Sequence, residues 1–293
     1  MIAAQALKEL EAERTDPLPK LRVRRWPRPI GFVFFLWTLF EVSVLTALLG
    51  GFAMAFMWFF PSLARTVPIL WSRWTCALAG VRVETHLEEP LPKESVIFVS
   101  NHQSAFDILC LFVGLGPRHP FVFVAKKSVF RYPFLGWFIT LARYIPIDRA
   151  NREKSIQSLE QAGEKIRQGT SVLMFPEGTR SSDGSILPFK KGAFVMAMKA
   201  RVPLVPLAIE GSLKVSPKRR WYACPNTVRI LIGPTYRMHD VGEDDRDGLI
   251  TDIRGTIIRL HHRLGGLGGD ETRAIAAAGL EGIAEGDRPG AIS

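Results

Sequence analysis

A histidine and an aspartate stand five residues apart at the predicted boundary between a strand and a helix. Residues 96–99 are apolar and predict a buried strand, and the apolar residues that begin at Phe106 predict a helix. In one continuous helix, residues five apart point about 140° away from each other, so His102 must precede the helix if it is to meet Asp107. Side chains in the first helical turn lean toward the N-terminus, which brings Asp107 back to His102. A carboxylate in that place would hold one ring nitrogen as N–H and leave the other free as a general base.

A second apolar run, residues 171–175, ends in a polar loop that contains proline and glycine. This loop presents Arg180 at its tip, where a guanidinium can bind a phosphate or a carboxylate through two parallel hydrogen bonds. The spacing of His102 and Asp107 alone also fits a histidine with a purely structural role at a helix start. The two segments together favour the catalytic interpretation.

Four sequence blocks occur in the order and spacing of the conserved blocks of the glycerolipid acyltransferases. The blocks are Asn101-His102-x4-Asp107, residues 144–149 (YIPIDR), residues 175–180 (FPEGTR) and residues 202–207 (VPLVPL). The sequence most resembles the 1-acyl-sn-glycerol-3-phosphate acyltransferases, over roughly residues 80–236. The resemblance implies transfer of a fatty acyl chain from acyl-CoA or acyl carrier protein to the sn-2 hydroxyl of lysophosphatidic acid, which gives phosphatidic acid. It also implies that Glu177, Gly178, Thr179 and Arg180 bind the glycerol-phosphate acceptor.

Acyl transfer to an alcohol assigns roles to the residues around the histidine. His102 would remove the hydroxyl proton, which contributes roughly 10²- to 10⁴-fold to the rate, and Asp107 would orient the imidazole and stabilise its protonated form. The substrate hydroxyl takes the place of a catalytic serine, so Ser100 and Ser104 are interpreted as turn and capping residues. Free N–H groups at the helix start are expected to stabilise the developing oxyanion. No metal ion and no cofactor is expected beyond the acyl donor.

Three further cations are expected to complete a phosphate pocket. Arg149 follows one predicted strand, and Lys126 and Lys127 follow another. Each has a second interpretation, because Arg149 fits an ion pair with Asp148 or with an acid of the neighbouring helix equally well. Paired lysines after a strand are usually solvated.

The apolar stretch of residues 30–60 favours a membrane segment, because Glu41 is its only charged residue and a bilayer needs about 20 apolar residues. One arrangement is a tilted single span. The other is a re-entrant motif in which a helix turns at Gly50-Gly51 and a second helix runs through about Leu78. Basic residues flank both ends of the stretch, so the positive-inside rule favours the re-entrant two-helix motif.

Composition and charge indicate a lipid surface as the partner. The chain is 47% hydrophobic with a formal net charge of +10 and a mean hydropathy of +0.11, and its basic residues would attract anionic headgroups. Nucleic acid is not expected as a partner, because the sequence has no zinc-ligand spacing and no aromatic RNA-binding strand. The three cysteines form no C-x-x-C pair, which fits a reducing cytosol. We therefore expect a catalytic domain that faces the cytoplasm from the cell inner membrane.

After residue 80, short apolar runs alternate with helical patterns, which predicts an α/β domain whose mixed sheet is flanked by helices. The predicted strands are residues 81–87, 96–100, 121–125, 144–148, 171–175, 205–209 and 227–232. A crossover helix is predicted between residues 149 and 170, and a closing helix over residues 249–264. The predicted segments are a basic N-terminal segment (1–29), a membrane-associated helical segment (30–79), the acyltransferase domain (80–264) and a flexible tail (265–293).

Several alternatives remain open at the level of sequence. Residues 129–141, rich in Phe and Trp, fit either core packing or a lip that touches lipid. The Lys-Arg-Arg-Trp loop of residues 218–221 fits either an exposed turn or a lipid-surface contact. The same catalytic pair would serve an acyltransferase for a lyso-ornithine lipid or another lysophospholipid. A non-catalytic lipid-binding domain that uses only its basic surface is the alternative of a different class.

Overall fold

A seven-stranded sheet forms the centre of the protein. The computed structural model describes residues 26–147, 158, 162–238 and 245–269. The strands are β1 (Arg82–Leu87), β2 (Ile97–Ser100), β3 (Phe121–Lys126), β4 (Ile145–Ile147), β5 (Ser171–Met174), β6 (Leu204–Glu210) and β7 (Thr227–Ile232). Their spatial order is β1-β7-β6-β2-β5-β3-β4. All seven predicted strands are therefore confirmed, and so is the mixed α/β class.

Strands β2 to β6 run parallel to one another, and β7 pairs antiparallel with β6. Val99 of β2 lies opposite Met174 of β5 and Pro206 of β6, so β2 and β5 end within one residue of each other, and β6 continues in the same direction to Glu210. We call the side where β2 to β6 end the carboxyl edge and the side where they begin the amino edge. Because parallel strands share an edge, the loops that follow β2, β3 and β5 meet at the carboxyl edge.

Helices cover both faces of the sheet. They are α1 (Arg28–Phe56), α2 (Leu63–Leu78), α3 (Phe106–Gly114), α4 (Leu135–Leu141), α5 (Gly192–Ala200), α6 (Ser212–Val215) and α7 (Arg246–Arg263), with a 3₁₀ helix at Lys127–Arg131. Residues along a strand point alternately to the two faces, so Phe98 packs in the core beneath α2, α3 and α4 while Ile97 and Val99 pack beneath α5 and α7. The predicted closing helix is confirmed as α7.

The N-terminal apolar stretch forms a two-helix motif, but the turn does not lie at Gly50-Gly51. Helix α1 continues through both glycines, and the turn occupies residues 57–62. A glycine inside a helix costs only about 1 kcal/mol, whereas Pro61 cannot continue a helix because its ring clashes with the preceding turn. The proline therefore places the turn that the sequence prediction had assigned to the glycines.

Helix α1 lies along the domain rather than projecting from it. Near its N-terminus, the Ala223 N–H donates to the Gly31 carbonyl at 3.0 Å, and a Cβ on Gly31 would meet the Tyr222 ring at 2.1 Å. Near its C-terminus, Gly50 lies against Phe134. The helix is long and apolar enough to cross a membrane. Its outward face consists of exposed apolar side chains, namely Ile30, Phe32, Val33, Leu36, Trp37, Leu39, Phe40, Val44, Leu48, Phe52 and Phe56.

Several predicted segments have a different extent or a mixed character. The tail does not begin at residue 265, because residues 265–269 pack against the domain and the Ile186 N–H donates to the Gly268 carbonyl at 2.8 Å. Residues 129–141 are partly core, since Phe138 is buried while Trp137 is exposed, and contact of the exposed side chains with lipid stays a prediction. Residues 162–167 of the crossover are helical. Most of the predicted basic N-terminal segment, the first part of the crossover and residues 270–293 lie outside the described residues.

Candidate active site

His102 and Asp107 meet at the carboxyl edge, as their spacing predicted. His102 lies in the loop that follows β2, and Asp107 is in the first turn of α3. The His102 Nδ1 atom is 2.7 Å from Asp107 Oδ2. The Asp107 side chain is fully buried and that of His102 is 14% exposed. The pair therefore has one end in the protein interior and one end open to a substrate.

The hydrogen bonds around Asp107 fix which nitrogen of His102 is free. The backbone N–H groups of Gln103 and Ser104 donate to Asp107 Oδ2 at 2.7 and 2.9 Å. That oxygen is therefore an acceptor, so Nδ1 of His102 carries the hydrogen and Nε2 is the unprotonated nitrogen. The imidazole stacks on the Phe175 ring with a centroid distance of 4.0 Å and an angle of 16°. Stacking and the Asp107 hydrogen bond together hold the ring in one orientation.

Two neighbours of His102 anchor its loop to the sheet. The Asn101 side chain donates to the Ile209 carbonyl at 2.9 Å and accepts from the Ile209 N–H at 2.8 Å. The buried Gln103 side chain donates to the Gly184 carbonyl at 3.2 Å and to Glu210 at 3.3 Å. These contacts tie the loop to β6 and to the loop after β5, so the catalytic geometry does not depend on the His102–Asp107 bond alone.

Glu177 holds the histidine loop rather than facing a ligand. It is buried, and its Oε1 atom accepts the His102 backbone N–H at 2.9 Å. In return, the Ser181 N–H donates to the His102 carbonyl at 2.7 Å. Burial raises the pKa of Glu177 to about 8 against the opposing effect of its backbone hydrogen bonds. A direct contact between Glu177 and the acceptor, which the resemblance implied, does not fit this position.

The rest of the Glu-Gly-Thr-Arg segment lies at the surface of the same edge. Gly178 has a φ of +70°, and a Cβ there would approach Lys190 Cε at 2.9 Å. Thr179 is exposed, and its hydroxyl accepts a hydrogen bond from Lys218 Nζ at 3.0 Å. The same ammonium donates to the Arg180 carbonyl at 2.7 Å. Two lysines therefore lie against this segment.

Arg180 offers an open guanidinium at this edge. Its side chain is half-buried and makes no hydrogen bond to any of the described residues. Arg180 precedes Ser181, whose N–H donates to the His102 carbonyl, so the backbone of Arg180 lies next to the histidine loop. Arg180, Lys190 and Lys218 form a group that we call the cation cluster.

Two more of the predicted cations lie farther along the carboxyl edge. Lys126 ends β3, and Lys127 begins the 3₁₀ helix, and both are exposed. Strand β3 is separated from β2 by β5, which places these lysines about 10 Å to one side of the histidine strand. Arg149 lies outside the described residues.

Four of the N–H groups before and at the start of α3 have partners within the turn. The N–H groups of Gln103 and Ser104 bind Asp107, the Phe106 N–H donates to Ser104 Oγ at 3.3 Å, and the Asp107 N–H donates to the Ser104 carbonyl at 3.3 Å. Stabilisation of an oxyanion by other N–H groups of this helix start stays a prediction. Ser104 thus supports the turn just before the N-cap residue Ala105, which fits its interpretation as a turn residue.

Sequence reasoning missed Phe175, Lys190 and the position of Lys218. Lys218 belongs to a loop for which the sequence allowed two interpretations, an exposed turn or a lipid contact. In the structure the loop lies at the surface, and Lys218 contacts Thr179 and Arg180. Trp221 is 70% exposed, and its ring lies 5.8 Å from that of Phe35 on α1. Within the described residues, no group of three or more His, Cys, Asp or Glu side chains could hold a metal ion.

The chain is similar to known acyltransferases. Residues 82–210 match the family model described as Acyltransferase. The chain is 32% identical over 231 residues to a 1-acyl-sn-glycerol-3-phosphate acyltransferase of Limnanthes alba, covering 77% of this chain and 81% of that protein. It is 40% identical over 131 residues to the chloroplastic 1-acyl-sn-glycerol-3-phosphate acyltransferase BAT2 of Brassica napus, covering 44% of this chain and only 37% of that protein.

Structural comparison shows the same fold in a solved protein. The crystal structure of the 1-acyl-sn-glycerophosphate (LPA) acyltransferase PlsC from Thermotoga maritima superposes with a TM-score of 0.67 at 24% identity, covering 86% of this chain and 98% of that chain. The matched model covers the histidine, glutamate and arginine segments that meet at the carboxyl edge. The chain therefore belongs to the 1-acyl-sn-glycerol-3-phosphate acyltransferase family.

Proposed function

We propose that this protein transfers a fatty acyl chain from acyl-CoA or acyl carrier protein to the sn-2 hydroxyl of lysophosphatidic acid and so forms phosphatidic acid. The observation that carries the proposal is that the loop with the His102–Asp107 pair is hydrogen-bonded to the segment that bears the cation cluster, at one edge of the sheet. A general base serves the hydroxyl, and the cations serve the phosphate of the same acceptor. The relatives named above support this choice of acceptor.

His102 acts as a general base and then as a general acid. The acceptor oxygen attacks the thioester carbonyl carbon while its proton moves to His102 Nε2. Asp107, hydrogen-bonded to Nδ1 at 2.7 Å, stabilises the resulting imidazolium. The carbon–sulfur bond then breaks, the leaving sulfur takes the proton from Nε2, and the ester, the free thiol and the neutral histidine remain.

The cation cluster binds the acceptor phosphate. The guanidinium of Arg180 presents two parallel donors that match phosphate oxygens. Lys218 adds a charge beside it and is held by two hydrogen bonds to the segment. The side chain of Lys190 lies over Gly178, whose φ of +70° favours glycine. Lys126 and Lys127 contribute longer-range attraction for anionic substrates.

A small apolar cavity lies between α1, α2, α4 and β3, and Gly50, Trp71, Phe123 and Phe138 are among its lining residues. Its volume of about 40 Å³ has room for roughly three water-sized groups, which is far less than a fatty acyl chain occupies. We therefore do not assign the substrate's acyl chain to this cavity.

The two-helix motif attaches the enzyme to the cytoplasmic face of the cell inner membrane. Both halves of α1 contact the domain, so a helix that crossed the bilayer would draw the domain into the hydrocarbon region. The outward apolar face of α1 and the exposed residues 58–60 instead enter one leaflet. This arrangement places the carboxyl edge at the level of the lipid headgroups.

A substrate panel tests the proposal. Purified protein in detergent is offered lysophosphatidic acid, lysophosphatidylcholine and a lyso-ornithine lipid, each with radiolabelled acyl-CoA or acyl carrier protein, and the labelled lipid is measured. We expect lysophosphatidic acid to be the best acceptor, and a higher rate with either of the others would assign a different lyso-lipid.

Replacement of the base separates an enzyme from a binding module. The His102→Ala variant should lose turnover while it still binds lysophosphatidic acid. A variant with undiminished turnover would contradict the proposed chemistry.

A further inference from the structure

A cavity lined by basic residues lies at the amino edge, at the opposite end of the strands from His102. It has a volume of about 600 Å³. Its lining includes Ser95 before β2, Ser171 at the start of β5 and Tyr144 before β4. Since each strand rises about 3.3 Å per residue, the cavity and the histidine are separated by roughly 20 Å. We call it the amino-edge cavity.

The described lining residues carry a large excess of positive charge. The basic lining residues are Arg65, Lys93, Arg118, Arg143 and Lys165, and the acidic one is Glu94. Glu94 is directed toward Arg237, with 3.8 Å between Oε1 and Nη1. The five cations therefore have no carboxylate partner among the described residues.

Two of these cations lie close together at the rim. The Lys165 ammonium donates a hydrogen bond to the Arg143 carbonyl. Burial, and then the charge of Arg143, lower the pKa of Lys165. Arg143 adopts a φ of +59°, which is uncommon for a residue with a side chain. An anion between the two side chains would remove their repulsion.

The surroundings of the amino-edge cavity point to a lipid rather than a soluble anion. Arg65 is in the first turn of α2, the second helix of the membrane motif. Pro68, Phe112 and Tyr144 line both this cavity and the apolar cavity between α1, α2, α4 and β3. A molecule with an anionic head in the amino-edge cavity and a hydrocarbon chain beside these shared residues matches both linings.

We propose that the amino-edge cavity binds the phosphate group of an anionic phospholipid of the bilayer, at a site separate from the candidate active site. Arg118 and Arg143 supply guanidinium donors, and Lys165 supplies an ammonium at the inner rim. Arg65 links the site to the membrane motif. The proposal does not depend on the acyltransferase activity.

Binding of a short-chain lipid to purified full-length protein in detergent tests the proposal. All proteins carry Arg180→Ala and Lys218→Ala, so that binding of a phosphate at the candidate active site is suppressed. The affinity for dioctanoyl phosphatidic acid is measured by native mass spectrometry with and without the further pair Arg118→Ala and Arg143→Ala. The matched control is the pair Arg82→Ala and Arg246→Ala, which removes the same charge from an exposed and a partly exposed position outside the cavity lining.

We expect the Arg118/Arg143 pair to weaken lipid binding about tenfold or more, as loss of charge-assisted hydrogen bonds does, and the control pair to leave it unchanged. Dioctanoyl phosphatidylcholine and inorganic phosphate should compete poorly. Equal weakening in both pairs, or none in the Arg118/Arg143 pair, would overturn the site. Displacement by inorganic phosphate at the concentration at which the lipid itself competes would overturn the assignment to a phospholipid.

Discussion

Replacing Asp107 by asparagine tests whether the negative charge of Asp107 assists proton transfer to His102. The side chain is fully buried, and one of its oxygens accepts three hydrogen bonds, from His102 Nδ1, the Gln103 N–H and the Ser104 N–H. Asparagine can keep an oxygen in that place and so preserve the loop. It cannot supply the negative charge that stabilises the imidazolium.

The size of the effect follows from the charges. With the imidazolium and carboxylate centres about 4 Å apart and an effective dielectric constant of about 20, their attraction is about 4 kcal/mol. Each 1.4 kcal/mol of barrier corresponds to about a tenfold change in rate. Asp107→Asn should therefore lower kcat about 10³-fold and leave KM for both substrates nearly unchanged.

The assay measures release of free thiol from acyl-CoA at saturating lysophosphatidic acid, together with the thermal unfolding midpoint. Asp252→Asn, at an exposed position on α7, is the control and should retain wild-type activity. A loss of less than about tenfold in a folded Asp107→Asn protein would refute a role for the carboxylate in stabilising the imidazolium.

Three further changes probe the segment after β5. Because the pKa of Glu177 is about 8 in the folded protein and near 4.5 when unfolded, the stability of the wild type falls as the pH rises between these values. The unfolding midpoint of Glu177→Gln relative to that of the wild type should therefore rise from pH 5 to pH 8. A difference in midpoint that stays constant over this range would show that burial does not raise the pKa of Glu177. Arg180→Ala should raise KM for lysophosphatidic acid far more than KM for the acyl donor. Arg219→Ala, in the neighbouring loop, is the control and should change neither KM. Equal increases of both KM values in Arg180→Ala would show that Arg180 does not bind the phosphate. Gly178→Ala should lower the free energy of unfolding by about 1–2 kcal/mol because Gly178 has a positive φ. Gly248→Ala, inside α7 with open space around it, should raise the free energy of unfolding by about 0.5–1 kcal/mol. Unfolding in denaturant measures both, and equal effects of the two substitutions would contradict the argument from φ.

Local chemistry was predictable where neighbours along the chain decide it. Strands β2 and β5 could be predicted from their apolar sequences, because both are buried on both faces of the sheet. The contact between His102 and Asp107 was predictable because both belong to one turn between a strand and a helix. The break after α1 was also encoded locally, by Pro61, but the more conspicuous glycine pair drew the prediction to the wrong place.

The composition of the site was decided by the tertiary structure. Lys218 reaches Thr179 across 39 residues of sequence, and Glu177 reaches the His102 backbone across 75. No periodicity links such positions, because the order of strands in the sheet brings their loops together. The burial of Glu177 likewise depends on how the loops after β2 and β5 stack.

The sequence by itself determined which strands and helices form around the site and that His102 and Asp107 meet between a strand and a helix. Only the tertiary structure decided that Glu177 supports the histidine loop and that a second cluster of cations lies at the amino edge, away from that loop. The physical reason is that hydrogen-bonding capacity and charge compensation depend on every neighbour in space, whereas helix and strand formation depend mainly on neighbours along the chain.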